Sequence, residues 1–127
     1  MLKSDIGYLL VVLMKYIIAI IRPERLDAVK RELQKIEVNR LTVSSALGYG
    51  AQKGYLDIYK AMESEVTLLE KLRLEIAVND DFLQPTIDAI KRGAKGNQSS
   101  FGSGKIFVLP LENVIRVRTD ETGPVAI

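Results

Sequence analysis

The stretch Lys71 to Val78, KLRLEIAV, constrains this chain more than any other. Leu72, Leu74, Ile76 and Val78 alternate there with Lys71, Arg73 and Glu75. Successive side chains of a strand leave opposite faces, so the segment reads as a strand with one buried and one polar face. Lys15 to Ile21, KYIIAII, is short, apolar and β-branched, a buried strand ended by Arg22-Pro23. Leu41 to Leu47, LTVSSAL, favours another, closed by Gly48-Tyr49-Gly50, and two more are expected at Lys105 to Leu109 and, after a turn at Pro110, at Val114 to Thr119.

Two helices fall between these strands. Pro23 opens the first, in which Leu26, Val29, Leu33 and Ile36 share one helical face and Arg25, Lys30, Arg31 and Gln34 the other, to about Lys35. Asn79-Asp80-Asp81 supplies N-cap candidates for the second, with Pro85 in its first turn, where a missing amide costs least. Leu83, Ile87 and Ile90 form its apolar face, and Gly93 to Gly104, GAKGNQSSFGSG, reads as a loop. The order is β-α-β, a middle segment, then β-α-β-β. Its two βα halves are those of an α+β, ferredoxin-like βαββαβ fold with an extra C-terminal strand.

A chain of 127 residues fits one domain, assigned to residues 14–127, with residues 1–13 read as an N-terminal extension outside the fold and Met14 as a candidate start. Tyr8 to Ile21 falls short of the ~20 apolar residues of a spanning helix and is interrupted by Lys15, so no membrane insertion is expected. MLKSDIGYLLVVL has a mixed-charge start and no small-x-small cleavage site. With 18 Lys+Arg against 16 Asp+Glu, interleaved rather than massed, nucleic acid is not an expected partner. The chain has no His and no Cys, which removes Cys/His zinc sites, Ser-His-Asp and Cys-His nucleophiles, and thiol redox chemistry. Carboxylates, Lys, Arg, hydroxyls and backbone amides remain, a set better suited to binding anions than to catalysis. Zero Cys suits a reducing cytoplasm and is equally compatible with other compartments.

The middle segment, Ala51 to Glu70, has two readings. Leu56, Tyr59, Met62, Val66 and Leu69 have helical spacing, which would give a helix from about Tyr55 to Lys71; otherwise it is a long loop, and such loops in compact domains are usually functional. Gly48 to Gly54, GYGAQKG, approaches a dinucleotide fingerprint, but its pattern is GxGxxxG rather than GxGxxG. Gly102-Ser103-Gly104-Lys105 is not a phosphate-binding P-loop, because a strand follows where a helix would be needed. A Gly-rich turn still exposes amides beside Lys105. Arg116 and Arg118 stand two apart on the expected last strand, so both leave one face, and with Lys105 they make either a polyphosphate cradle or a solvated strand face.

The opening MKYIIAIIRPERLDAVKREL, the GYGAQKG turn, GSGKIFVLPLENVIRVRT and the ending ETGPVAI together resemble, in order and nearly in spacing, the PII family of nitrogen-regulatory signal proteins. The resemblance runs from Met14 to Ile127 and implies a homotrimer with ATP or ADP in each intersubunit cleft. A T-loop, residues 51–70, would dock on a client protein, an ammonium transporter or an enzyme of nitrogen metabolism, and a B-loop, residues 93–104, would close on the nucleotide.

Carried over by residue, the resemblance implies that Thr42 meets the adenine and Glu75 the ribose side. Gly50, Gly102, Ser103, Gly104 and Lys105, with Arg116 and Arg118 from a neighbouring strand, would complete the nucleotide site. It implies 2-oxoglutarate binding by Gln52, Lys53, Gly54 and Lys71, with Lys71 pairing a carboxylate and Gln52 helping to hold Mg²⁺ together with ATP. An amide oxygen and phosphate oxygens are hard ligands suited to Mg²⁺, so such a site needs neither His nor Cys.

The departures from the family are equally readable. Ser64 stands where many bacterial members carry a modified tyrosine, excluding nucleotidylylation there in its usual form. Ala51 replaces a basic residue near the γ-phosphate, Ser103 an Asp, and Glu70 a proline whose loss would loosen the end of the T-loop. The expected function is therefore a non-enzymatic, cytoplasmic sensor of ATP/ADP and 2-oxoglutarate. Its rivals are an adaptor of the same fold that has lost 2-oxoglutarate sensing, and a small dinucleotide-binding enzyme.

Overall fold

A computed structural model of the chain describes residues 13–49, 68–96 and 103–127. Strand β1 (Met14–Ile21) leads through a 3₁₀ turn (Pro23–Arg25) into helix α1 (Leu26–Lys35), followed by β2 (Thr42–Tyr49), β3 (Leu68–Asn79), α2 (Asp80–Lys95) and β4 (Lys105–Pro110). A second 3₁₀ turn, Gly123–Ala126, closes the chain.

The sheet order is β2-β3-β1-β4, and every neighbouring pair is antiparallel. Strands β1 and β2 therefore run parallel to each other with β3 between them, and β3 and β4 run parallel with β1 between them. Two split β-α-β units are interleaved, which is the ferredoxin-like arrangement.

The period-two pattern of β3 decides which side carries the core. Leu74, Ile76 and Val78 are buried with Ile17, Ala19 and Ile21 of β1, and with Val29, Leu33, Ala89 and Ile90 of the two helices. Both helices pack on that face, one against the other at an unusually short approach. A Cβ on Gly93 would lie 2.5 Å from Val29 Cα, so only glycine lets the two backbones meet there. The opposite face carries Tyr16, Ile18 and Ile20 of β1, Arg73, Glu75 and Ala77 of β3, and Lys105, Phe107 and Leu109 of β4. No helix of the described residues covers it. None of these helices is long and apolar enough to cross a membrane.

Several element limits differ from the sequence reading. Gly93 to Lys95 are helical rather than part of a loop, because Gly93 serves the helix contact. The helix stops at Gly96, with φ +58 and an N–H bonded to Arg92 O at 3.1 Å, while Arg25 Nε donates to Gly93 O at 2.9 Å. That guanidinium ties the start of α1 to the negative end of α2. Strand β2 continues through Gly48 and Tyr49, and β3 begins at Leu68, so Leu68 to Glu70 belong to the ladder and not to the loop or helix read over the middle segment. Glu70, expected to loosen the end of the middle segment, lies opposite Leu47 in that ladder.

The extra strand read over Val114 to Thr119 is reduced to one bridge, Ile115 to Thr122. The chain turns back over Val117 to Thr119, closed by Arg116 N–H to Glu121 O and Asp120 N–H to Arg116 O, each 2.9 Å. Leu13, grouped by the sequence reading with the extension, accepts the Asp80 N–H at 2.9 Å and so meets the start of α2. Residues 1–12 lie outside the described residues.

Candidate functional site

The open face of the sheet is laid out in cross-strand rows. Thr42 pairs with Glu75, Glu75 with Ile18, and Ile18 with Phe107. One row along, Ser44, Arg73, Ile20 and Lys105 stand in the same order. Thr42 and Glu75, read from the sequence as two sides of one cleft, are therefore direct neighbours with side chains on one face.

Glu75 is held from two directions. Arg73 Nε donates to its Oε1 at 2.8 Å, and the Tyr16 hydroxyl hydrogen-bonds the same carboxylate from the diagonal position on β1. Arg73, and after it Tyr16, hold the Glu75 carboxyl below the usual carboxylate range. Tyr16 is pushed above its ordinary value, first by burial and then by its bond to Glu75. The result is an ionised, oriented acceptor beside the Thr42 hydroxyl, suited to hydrogen-bond donors of a sugar or a base.

Lys71 lies further along β3, paired with Ala46. It borders an open cavity of about 420 Å³ with Pro23, Ser45, Leu47, Glu70 and Leu72. Burial lowers its pKa first and the Arg22 charge lowers it further, with Glu24 acting the other way. A cation at the wall of a cavity suits a carboxylate, which would relieve the cost of charging Lys71.

Gly104 begins the third group. Its φ is +124, and a side chain there would run into the carbonyl oxygen of Ile20. Glycine lets the chain cross the end of β1 before Lys105 pairs with Ile20, which fixes where Lys105 enters the sheet. Ser103 precedes it at the same edge.

The arginines read as partners of Lys105 are elsewhere. Leu111 N–H bonds Met14 O at the start of β1, and Arg116 lies beyond it, among the last residues of the chain. Arg116 Nε donates to Ala126 O and Nη2 to Ile127 O, both at 3.3 Å, and Nη1 is 3.6 Å from Glu121 Oε1. Asn79, at the same end of the sheet, donates from Nδ2 to Pro124 O at 3.4 Å. Lys105 and Arg116 are thus at opposite ends of β1, separated by roughly 15 Å or more of strand rise. Arg118 is exposed inside the Val117 to Thr119 turn, where strand alternation no longer sets its direction. The three cations do not form a cradle within one protomer.

Gly50, Gln52, Lys53, Gly54 and Gly102 lie outside the described residues, as do Ala51, Ser64 and the remainder of the middle segment up to residue 67. Among the described residues, no group of three or more acidic side chains could hold a metal. Two contributors escaped the sequence reading. Tyr16 was detectable, since the period of β1 puts it on the face of Ile18. Arg40, whose Nη1 reaches Ile127 O at 3.4 Å, follows the helix in a connection with no periodic signal.

Fold and site together define a class: small α+β chains whose sheet is left open on one face, with cationic side chains at both of its ends. The family model described as nitrogen regulatory protein P-II matches residues 14–121. The chain is 76% identical over 116 residues to nitrogen regulatory protein GlnK1 of Methanosarcina mazei, covering 91% of this chain and 99% of that protein. It is 45% identical over 114 residues to nitrogen regulatory protein P-II of Bradyrhizobium diazoefficiens, covering 90% and 100%. Two solved structures share the fold. The GlnK-ATP complex of B. subtilis matches at TM-score 0.71 and 34% identity over 90% of this chain and 97% of that one. Arabidopsis thaliana PII bound to citrate matches at 0.70 and 33%, over 90% and 92%. The chain belongs to the P-II nitrogen regulatory protein family.

Proposed function

We propose that this chain is a non-enzymatic, cytoplasmic sensor that forms a homotrimer, binds ATP or ADP in the clefts between subunits, and regulates a client through residues 51–70. The observation that carries the reading is the separation of Lys105 from Arg116 along β1. Groups that are to meet one polyphosphate, yet stand at opposite ends of one sheet, can do so only if different subunits supply them. The uncovered face supports the same assembly: Phe107 is 48% exposed and Leu109 41%, apolar surface that a neighbouring copy would bury. Binding of ATP by the B. subtilis relative agrees with the ligand class.

In this reading Thr42 and Glu75 hold the adenosine end, and Gly104 and Lys105 the phosphates, joined by Arg116 and Arg118 of a neighbour. A triphosphate takes the charge-assisted bonds that Lys and Arg offer. Lys71 pairs with a 2-oxoglutarate carboxylate. The absence of an acidic cluster among the described residues suits a Mg²⁺ ion held mainly by ligand oxygens with the Gln52 amide, since Mg²⁺ is commonly bound through substrate phosphates and few protein ligands. The bound metal would neutralise phosphate charge. An effector bridging Gln52 and Lys71 would favour one state of the 51–70 segment and a client another. The client is an ammonium transporter or an enzyme of nitrogen metabolism.

Isothermal titration with ATP, ADP, and Mg-ATP plus 2-oxoglutarate, alongside light scattering, tests this. The expected result is a trimer that binds nucleotide, with 2-oxoglutarate tightening Mg-ATP. A monomer, or no nucleotide binding at millimolar concentration, refutes it.

A further inference from the structure

The last residues of the chain sit on two arginines. Ile127 O accepts from Arg116 Nη2 at 3.3 Å and from Arg40 Nη1 at 3.4 Å, so two guanidinium groups converge on one oxygen. Ile127 lines a cavity of about 380 Å³ with Glu37, Val38, Arg40, Asn79 and Phe82. Arg40 and Arg116 reach it from distant parts of the sequence, one from the connection before β2 and the other from the connection after β4. Convergence of two cations on one point is the arrangement that binds an anionic oxygen.

The present occupant fits that point poorly. Charge-assisted N–H to O⁻ bonds run about 2.7–2.9 Å, whereas Arg40 and Arg116 reach the Ala126 and Ile127 oxygens only at 3.3–3.4 Å. Asn79 holds Pro124 O at 3.4 Å, while its own Oδ1 is buried and unpartnered among the described residues. Only Ala126 of this terminal turn is buried, and Val125 is 67% exposed. Long bonds, one buried anchor and an unsatisfied acceptor describe a seat that is occupied but weakly held.

We propose that Arg40 joins Arg116 in binding an anionic phosphate oxygen, and that the Ile127 oxygen is a stand-in which the ligand displaces, releasing the turn Gly123–Ala126. Arg40 then acts as a phosphate-binding residue, and nucleotide binding is read out at the end of the chain. The assignment of the phosphate to a nucleotide rests on the reading of the function above, whereas the displacement itself requires only an oligophosphate.

The test uses the full chain with Val125→Trp. This would be the sole tryptophan, because the sequence has none. The probes are ATP, adenosine and inorganic triphosphate, followed by fluorescence and by calorimetry. ATP and triphosphate are expected to shift the emission saturably and adenosine to leave it unchanged. Arg40→Gln should weaken ATP and triphosphate about tenfold, in line with losing one charged hydrogen bond, while circular dichroism stays native because Arg40 is exposed. Arg40→Lys should recover part of the loss. If triphosphate shifts the emission in an Arg40-dependent way but ATP does not bind, the inference stands and the nucleotide reading falls. If ATP binds with no change in emission, or with equal affinity to the Arg40→Gln variant, the inference is overturned. It is overturned also if neither anion has an effect.

Discussion

Gly93 meets Val29 so closely that a Cβ at position 93 would lie 2.5 Å from Val29 Cα and 2.7 Å from its backbone nitrogen. Helices α1 and α2 can approach in this way only with glycine at the contact. Gly93→Ala is expected to cost about 1–3 kcal/mol, or more if the helices cannot separate. Chemical denaturation of the two proteins measures it, and an unchanged midpoint would show that the close approach is not needed.

Gly104 imposes a different restriction. With φ +124 and the Ile20 carbonyl where a side chain would point, Gly104→Ala must move the backbone that delivers Lys105 into the sheet. Nucleotide affinity is expected to fall by at least tenfold, and thermal stability to fall as well, since the strained φ and the Ile20 carbonyl of the interior strand β1 both resist a side chain. Calorimetry and a melting curve separate the two effects.

Glu75 and Tyr16 give opposite pH dependences. The folded-state pKa of Glu75 is depressed, so its stabilisation is present above the unfolded carboxylate value and is lost as pH falls through the folded value. That of Tyr16 is raised, so its share is complete below the unfolded tyrosine value and is lost as pH rises through the folded one. Tyr16→Phe should therefore remove part of the alkaline loss and, by removing a bond to the carboxylate, raise the Glu75 pKa. Denaturant unfolding from acid to alkaline pH, with carboxyl NMR for Glu75, checks both signs.

Lys71 is charged at a cost from burial and from Arg22, and its pKa is lowered. The unfolded state holds the proton more tightly, so stability rises as pH climbs from the folded value towards the unfolded one. A carboxylate placed beside it should push the pKa back up. Lys71→Gln is expected to abolish the effect of 2-oxoglutarate on Mg-ATP binding and leave binding of ATP alone within about threefold, because neutral glutamine lacks the charge that strengthens a carboxylate bond. Titration calorimetry with both ligands decides it.

Much of this fold could be read from periodicity. The alternation of KLRLEIAV located the core face of β3, and the Leu26, Val29, Leu33 spacing located the buried stripe of α1, because each pattern reflects a single solvent boundary. Limits set by contacts between distant segments were hidden. Gly93 looks like punctuation until Val29 is seen against it, and Val114 to Thr119 has the composition of a strand but only one bridge to pair with. The middle segment's ends, Tyr49 and Leu68, are ladder partners, a register that no local pattern encodes. Within the candidate site, Thr42 and Glu75 stand side by side in one row, whereas Lys105 and Arg116 stand apart. Strand spacing gives the face a residue occupies but not which end of the sheet the chain has reached.

The distance between Lys105 and Arg116 has a combinatorial consequence. If every cleft takes one group from each of two neighbours, a Lys105→Ala chain and an Arg116→Ala chain are each defective alone yet carry complementary faults. Unfolded together and reassembled in equal amounts, they would form clefts at random. About a quarter of these would draw both intact groups, and tight nucleotide binding would return at that fraction of the wild-type stoichiometry. A gene duplicated in this family could therefore lose one half of the site in each copy and still be retained, with two chains kept as obligate partners.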